Sequence, residues 1–216
     1  PSSAASDVYK RQQLQLLDQW LRNKGVSVVL TREPGGTIIG EKIRDWLLDL
    51  SSKASVETET LLIFAARQQH LQTVIYPALS KGYWVICDRF TAATYAYQGA
   101  GKGLPMAKIK LLEQWLQTDI QPDLNIILDV KAEVSIGRRM KIYRTEDRFE
   151  NEGMVFLRRV RQAYLDYAQM APSCAMVIDG TQSIKQVHQK MIQAIERHLL
   201  LSLIHISEPT RQAEIS

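Results

Sequence analysis

A charged pair closing an apolar run is the first place where this sequence could do chemistry. Trp84 to Cys87 is a short stretch of aromatic and β-branched side chains that stops at Asp88-Arg89. A strand buried on both faces has that composition, and in open α/β sheets ligands sit at the carboxyl ends of such strands. Asp88 and Arg89 then face a ligand; a solvated turn is the plain alternative. The segment that follows, Thr91 to Gly99, is too weakly polar for a simple surface turn, which favours a site. Upstream, Thr31-Arg32-Glu33-Pro34-Gly35-Gly36-Thr37 reads as a rigid loop. Pro34 fixes one φ, and the two glycines permit positive φ and close approach of the backbone to a ligand, or simply form a structural turn. Phe64 and Arg67, three apart, share one helix face. Together they can stack on a planar ring and donate to its edge oxygen, although a core Phe beside a surface Arg is the commoner arrangement. Finally, Arg138, Arg139, Lys141, Arg144 and Arg148 crowd into a segment with few apolar anchors. Such a cluster suits a flap that closes over phosphates, or else a solvated helix end.

These groups need a scaffold to bring them together, and the periodicity supplies one. A helical stripe starts at Leu14 (Leu14, Leu17, Leu21) and ends at Asn23-Lys24-Gly25. Val26–Leu30, Tyr83–Asp88, Leu124–Val130 and Ala175–Asp179 read as strands. Helices are expected over Glu41–Leu50, Glu57–Leu79, 91–98, 105–118, Glu152–Met170 and Ser183–Leu199, with another starting at Val134–Lys141. In Glu41–Leu50 the inward face is Ile43, Leu47 and Leu50. In Glu57–Leu79 the core stripe is Leu61, Leu62, Ala65, Leu71 and Val74. Alternating strands and helices predict an α/β domain: a doubly wound, mainly parallel sheet with helices on both faces.

At 216 residues, with 45% hydrophobic and 23% charged, the chain fits one globular domain. The net charge of +4 suits small phosphates as well as it suits nucleic acid, and no long Lys/Arg block favours the latter. Cys87 and Cys174 both lie in apolar runs, which predicts buried free thiols in a reducing cytoplasm. The four histidines are scattered without ligand spacing. No run approaches the roughly 20 apolar residues of a membrane span.

Residues 31–37, Phe64-Ala-Ala-Arg67, Asp88-Arg89-Phe90 and Tyr97-Gln98-Gly99 together resemble bacterial thymidylate kinases, over about Leu14 to Leu199. The resemblance implies a P-loop-NTPase-like fold and transfer of the ATP γ-phosphoryl group to dTMP, giving dTDP, with Mg2+. It implies that Phe64 stacks on thymine, Arg67 bonds a base carbonyl oxygen and Arg89 holds the acceptor phosphate. Thr94, Tyr97 and Gln98 would line the base and deoxyribose, with Tyr97 placed to exclude a 2′-hydroxyl. Asp88 would sit near the magnesium and phosphate. Arg32, Glu33 and Pro34 would close the acceptor pocket, with a cis Glu33–Pro34 bond. The basic segment 138–149 matches the family's lid, with Arg139, Lys141 and Arg144 as candidates for the charge-neutralising cation and Arg138 and Arg148 beside them. A homodimer is implied too, and no nucleic-acid or membrane partner.

The sequence departs from the family at its ends. No Gly-x-x-x-x-Gly-Lys-[Ser/Thr] loop is present; Gly101-Lys102 is followed by Gly103 and has Ala96 where the first glycine belongs. The domain is expected over 13–200. Residues 1–12 and 201–216 are foreign to the family, resemble translated vector or adaptor sequence, and are expected to be non-native or disordered. The family's first strand lies between Tyr83–Asp88 and Leu124–Val130. Without it, unpaired buried backbone groups cost about 1–3 kcal/mol each, against a total stability of about 5–15 kcal/mol. A marginal fold without useful kinase activity is therefore the expectation. A non-catalytic dTMP-binding remnant and another nucleoside monophosphate kinase are the alternatives.

Overall fold

The structure, a computed structural model, describes residues 4–49, 51–117, 120–131 and 153–207. Four strands appear where the apolar runs place them: β1 (Val28–Arg32), β2 (Trp84–Asp88), β3 (Asn125–Asp129) and β4 (Ala175–Asp179). Around them run α1 (Ala4–Asn23), α2 (Ile38–Leu48), α3 (Val56–His70), α4 (Tyr76–Leu79), α5 (Thr91–Thr94), α6 (Met106–Leu116), α7 (Gly153–Met170) and α8 (Ile184–Ser207). Wide π-helical turns, Leu71–Ile75 and Tyr95–Gly101, continue α3 into α4 and extend α5. Pro77, with no N–H to donate, stands just beyond the first.

Among the described residues all strand pairing is parallel, as expected, but the strands form two pairs rather than one sheet. Among the described residues β1 pairs only with β2, from Val28 opposite Trp84 to Arg32 opposite Asp88. Similarly β3 pairs with β4, from Asn125 opposite Ala175 to Asp129 opposite Asp179. The phase of each ladder shows where the remaining backbone groups point. Trp84 N–H donates to Ser27 O and Glu33 N–H to Asp88 O, so Val85 and Cys87 turn their N–H and C=O away from β1. Asn125 N–H donates to Cys174 O and Gly180 N–H to Asp129 O, so Ile126 and Leu128 turn theirs away from β4. Both strands are half-buried throughout rather than buried on both faces. Side chains alone bridge the break. Trp84 and Ile86 from β2, and Ile126 and Leu128 from β3, pack on one core of Leu17, Leu21, Val28, Ile178, Val187, Met191 and Ile195.

The terminal helices also differ in extent from the apolar pattern. The first helix begins at Ala4, not Leu14, so residues 4–12 are helical. Tyr9 Oη donates to Gln182 O at 3.0 Å, and the fully buried Gln13 donates through Nε2 to Ile184 O at 2.9 Å. The closing helix likewise runs on to Ser207, past Leu199. The inward face of α3 differs from the predicted stripe: Leu61 is 56% exposed, whereas Glu59, Thr60, Ile63, Phe64, Ala66, Arg67 and His70 are buried. A hydrophobic period cannot find a face that is half polar.

Leu21 is 2% exposed inside the core that spans both strand pairs, whereas Val155 is 62% exposed. Leu21→Ala is expected to destabilise the chain by about 2–5 kcal/mol, and Val155→Ala by less than about 0.5 kcal/mol. Paired thermal or urea denaturation curves check the contrast.

Candidate active site

The Thr31–Thr37 loop leaves β1 and ends by capping a helix, Thr37 Oγ1 accepting from Gly40 N–H at 2.9 Å. The Glu33–Pro34 bond is cis. Ser55 caps α3 in the same way, its Oγ accepting from Thr58 N–H at 3.2 Å. At the end of β2, Arg89 adopts φ +68°, a left-handed conformation that costs a non-glycine residue about 1–3 kcal/mol. That kink ends the strand and turns the chain into α5 and its wide extension, where Thr94, Tyr97 and Gln98 are carried.

These elements enclose a pocket. Its walls are Glu33 and Pro34 from the loop, Arg44, Leu47 and Leu48 from α2, Ile63 and Arg67 from α3, and Arg89, Phe90, Ala93, Thr94, Tyr97 and Gln98 from the segment after β2. A buried polar network forms one wall. Arg67 is 1% exposed; its Nε donates to Glu33 Oε2 at 2.6 Å and its Nη2 to Thr94 Oγ1 at 3.1 Å. The other Glu33 oxygen, Oε1, lies 3.0 Å from His70 Nδ1, and His70 Nε2 lies 2.6 Å from Thr31 Oγ1. Arg67 Nη1 is buried with no protein partner, a guanidinium donor left over at the wall of a pocket. The Arg89 guanidinium lies 4.8 Å from the Tyr97 ring centre, and that ring meets Phe156 of α7 edge-on at 5.9 Å.

Glu33, His70 and Cys87 bring one donor atom each to within 4.8 Å of one another. Oxygen, nitrogen and sulfur together suit zinc. Here, however, both carboxylate oxygens and both ring nitrogens already have partners. Burial, then the carboxylates of Glu33 and Asp88, push the Cys87 thiol well above its ordinary range, so it is a neutral thiol rather than a ready ligand. Tyr164, behind Arg89, has its hydroxyl pKa raised by burial, with Arg89 opposing the shift.

Most of the predicted site residues are therefore brought together, with specific differences. Glu33, Pro34, Arg67, Arg89, Thr94, Tyr97 and Gln98 all line the pocket. Phe64 does not; it is 1% exposed in a core cluster with Leu104 and Ile109. Its ring and that of Phe90 both lie against the Arg67 guanidinium, at 4.8 and 5.1 Å, and Phe90 is the aromatic at the wall. Arg32 turns outward and pairs with Glu41, Nη2 to Oε2 at 2.8 Å, beside a shallow cleft shared with Arg11 and Arg44. Asp88 faces Lys10 Nζ at 2.8 Å, a partner from the stretch read as a tail. Arg138, Arg139, Lys141, Arg144 and Arg148 lie outside the described residues. Lys102 of the rejected Gly-Lys pair bonds the buried Glu59 at 2.9 Å. Arg44 in the wall and His70 behind it are polar residues that escaped the sequence reading. Arg44 donates through Nη1 to Pro34 O at 3.1 Å, and His70 sits under the loop. Neither carries a local sequence signal, since each meets its partner through the fold. Gly36, read as room for a ligand, makes room instead for protein: a Cβ there would lie 2.6 Å from Thr31 Oγ1 and 2.8 Å from His70 Nε2.

The thymidylate kinase family model matches residues 10–191. The chain belongs to the thymidylate kinase family. By family it is a phosphotransferase. It is 47% identical to the thymidylate kinase of Nitrosomonas eutropha over 188 residues, covering 87% of each chain. Identity is also 47% to that of Chromobacterium violaceum, over 190 residues, 88% of this chain and 89% of the relative. The crystal structure of the Ehrlichia chaffeensis thymidylate kinase superposes with a TM-score of 0.69 at 33% identity, covering 87% of this chain and 91% of that one. The α/β fold is thus shared with a solved member of the family.

Two outcomes follow from these contacts. Glu33→Gln leaves the buried Arg67 cation without a counter-charge and is expected to destabilise the chain by about 3–5 kcal/mol in urea denaturation. At the mouth, hydrogen bonding from Arg32 lowers the Glu41 pKa. A depressed carboxyl stabilises the folded chain above its unfolded pKa, and that contribution is lost as pH falls through the folded value. In Arg32→Ala, the Glu41 titration followed by carbon NMR is expected to move up toward the ordinary carboxylate range, narrowing that acid-sensitive window.

Proposed function

We propose that this chain binds dTMP in the pocket between the Glu33-Pro34 loop and Tyr97-Gln98, as the acceptor for phosphoryl transfer from ATP that gives dTDP. The observation carrying this reading is Arg67 Nη1, a buried donor with no protein partner at the pocket wall. A pyrimidine carbonyl oxygen satisfies it, while the Phe64 and Phe90 rings hold the guanidinium plane. Arg89 supplies the cation for the acceptor phosphate, and Thr94, Tyr97 and Gln98 face the base and sugar. Asp88, an oxygen donor at the end of β2, has the hard-ligand chemistry that suits Mg2+. Magnesium bound with ATP supplies charge neutralisation at the phosphates. Arg139, Lys141 and Arg144, flanked by Arg138 and Arg148, are the cations proposed for the equatorial oxygens, where phosphoryl transfer needs charge most. The domain proposed to do this spans 13–200, with its lid at about 138–149.

A second reading, dTMP binding without transfer, is favoured by one specific observation. No ladder joins β2 to β3 among the described residues, so the backbone groups that Val85, Cys87, Ile126 and Leu128 turn toward that seam meet no strand there. Calorimetry with dTMP, UMP and AMP tests both readings. Binding of dTMP, with UMP weaker by about tenfold or more, is expected; equal binding of all three overturns the assignment. A coupled assay for dTMP-dependent ADP release then separates transfer from binding alone.

We further propose a homodimer. Glu57 and Leu61 on α3, and Lys108, Leu111 and Trp115 on α6, fall on two adjacent helix stripes tied by the Lys108–Glu57 ion pair at 3.2 Å. Leu61, Leu111 and Trp115 are 56%, 67% and 74% exposed there. Sedimentation equilibrium is expected to give a dimer mass for the parent and a monomer mass for Trp115→Glu. Both cysteines are free, and no described helix is long and apolar enough to cross a membrane; the proposed site of action is the cytoplasm.

A further inference from the structure

We propose that His70 is a positioning residue of the acceptor pocket: a neutral imidazole, protonated at Nδ1, that holds the Glu33 carboxylate and through it aims Arg67 at the base. This rests on the dTMP reading of the pocket. His70 is fully buried on α3, one turn from Arg67; it does not itself line the pocket and reaches it through the lining residue Glu33. Its two nitrogens meet groups from different parts of the chain. Nδ1 is 3.0 Å from Glu33 Oε1, and Nε2 is 2.6 Å from Thr31 Oγ1.

The proton assignment follows from the partners. A carboxylate only accepts, so Nδ1 carries hydrogen. A hydroxyl can donate or accept, and the charges decide which it does. Beside the ring stand the anion Glu33 with its cation Arg67 and the neutral Cys87 thiol, and next to that thiol Asp88, which is paired with Lys10. Glu33 and Arg67 already balance each other. A second buried cation would be left without a counter-charge, which low-polarity surroundings penalise heavily. The ring is therefore neutral, Nε2 accepts from the Thr31 hydroxyl, and the histidine fixes both ends of one chain of bonds: Thr31 to His70, His70 to Glu33, Arg67 to Glu33 and Thr94.

What His70 contributes is direction. A carboxylate held by Arg67 alone can rotate about its terminal torsion. With Oε1 pinned by Nδ1, Oε2 is pinned as well, and with it the orientation of the Arg67 fork that carries the unpartnered Nη1. Gly36 lets the loop approach the ring closely, since a Cβ there would be 2.8 Å from His70 Cδ2 and Nε2.

The test uses the full chain with His70→Phe, which keeps the ring shape, and His70→Asn, whose amide nitrogen can replace Nδ1–H. His70→Phe is expected to weaken dTMP binding by about tenfold or more, as for loss of one buried hydrogen bond to a carboxylate, and to narrow the preference for dTMP over UMP. His70→Asn is expected to recover most of both. If His70→Phe lowers only the melting temperature and leaves affinity and preference unchanged, the inference is overturned. If that variant does not fold, nitrogen NMR of the parent decides: an Nδ1–H tautomer supports the inference, and an Nε2–H tautomer or an imidazolium overturns it. Failure of the parent itself to bind dTMP would instead overturn the reading of the pocket, independently of the tautomer.

Discussion

The ion pair between Arg67 and Glu33 is the constraint from which the site is built. Both side chains are almost wholly buried, at 1% and 3% exposure, and neither charge tolerates that position without the other. The pair fixes how the 31–37 loop lies over α3, because Glu33 belongs to the loop and Arg67 to the helix. Everything else in the wall answers to it. Phe64 and Phe90 lie against the guanidinium, Thr94 takes one of its donors, and His70 takes the second carboxylate oxygen. One donor then remains for a ligand. Buried ion pairs are weak sources of stability. Here the gain is orientation: a guanidinium whose fork can point one way.

How much of this the sequence carried depends on distance along the chain. Asp88-Arg89 at the end of an apolar run was legible because strand composition and the charge that ends it are adjacent. The 31–37 loop was legible because proline and paired glycines restrict backbone shape on their own. The grouping of loop, helix and post-strand segment into one pocket followed from strand–helix alternation and family resemblance. What failed was orientation. Phe64 and Arg67 were correctly placed on one helix face, yet that face turns inward, so the ring meets Arg67 rather than a pocket. Apolar periodicity placed Leu71 inside correctly but turned Leu61 and Ala65 inward, whereas the inner face of α3 carries Glu59, Arg67 and His70, each acceptable inside because of partners far away in sequence, and Thr60, which bonds Val56 O one turn back. Residues 4–12 show no apolar stripe, and they are held by single side chains, Tyr9 and Lys10, reaching distant groups.

The family relationship and the geometry constrain each other. Similarity to thymidylate kinases extends over nearly the whole chain, but it does not indicate which way a given side chain points. Arg32 is one instance: the loop is in place, while the side chain leaves the pocket to pair with Glu41. Phe90 is another, a wall residue that the family motif contains and the sequence reading gave no role. The geometry supplies roles for both without recourse to the family.

The division of the strands into two parallel pairs has a mechanical consequence. Within a pair, sliding one strand past the other by a single position would break every ladder bond and invert the side-chain faces at once. Between β2 and β3, among the described residues, no ladder fixes such a register; apolar groups around Leu17, Leu21 and Ile195 join the two pairs instead. A second tie crosses the seam at the pocket itself, where the Tyr97 ring meets Phe156 of α7, a helix that Arg161 bonds to Asp129 of β3. Alignment of the two strand pairs is thus held by side-chain shape rather than by backbone register, and one of the side chains that hold it lines the pocket.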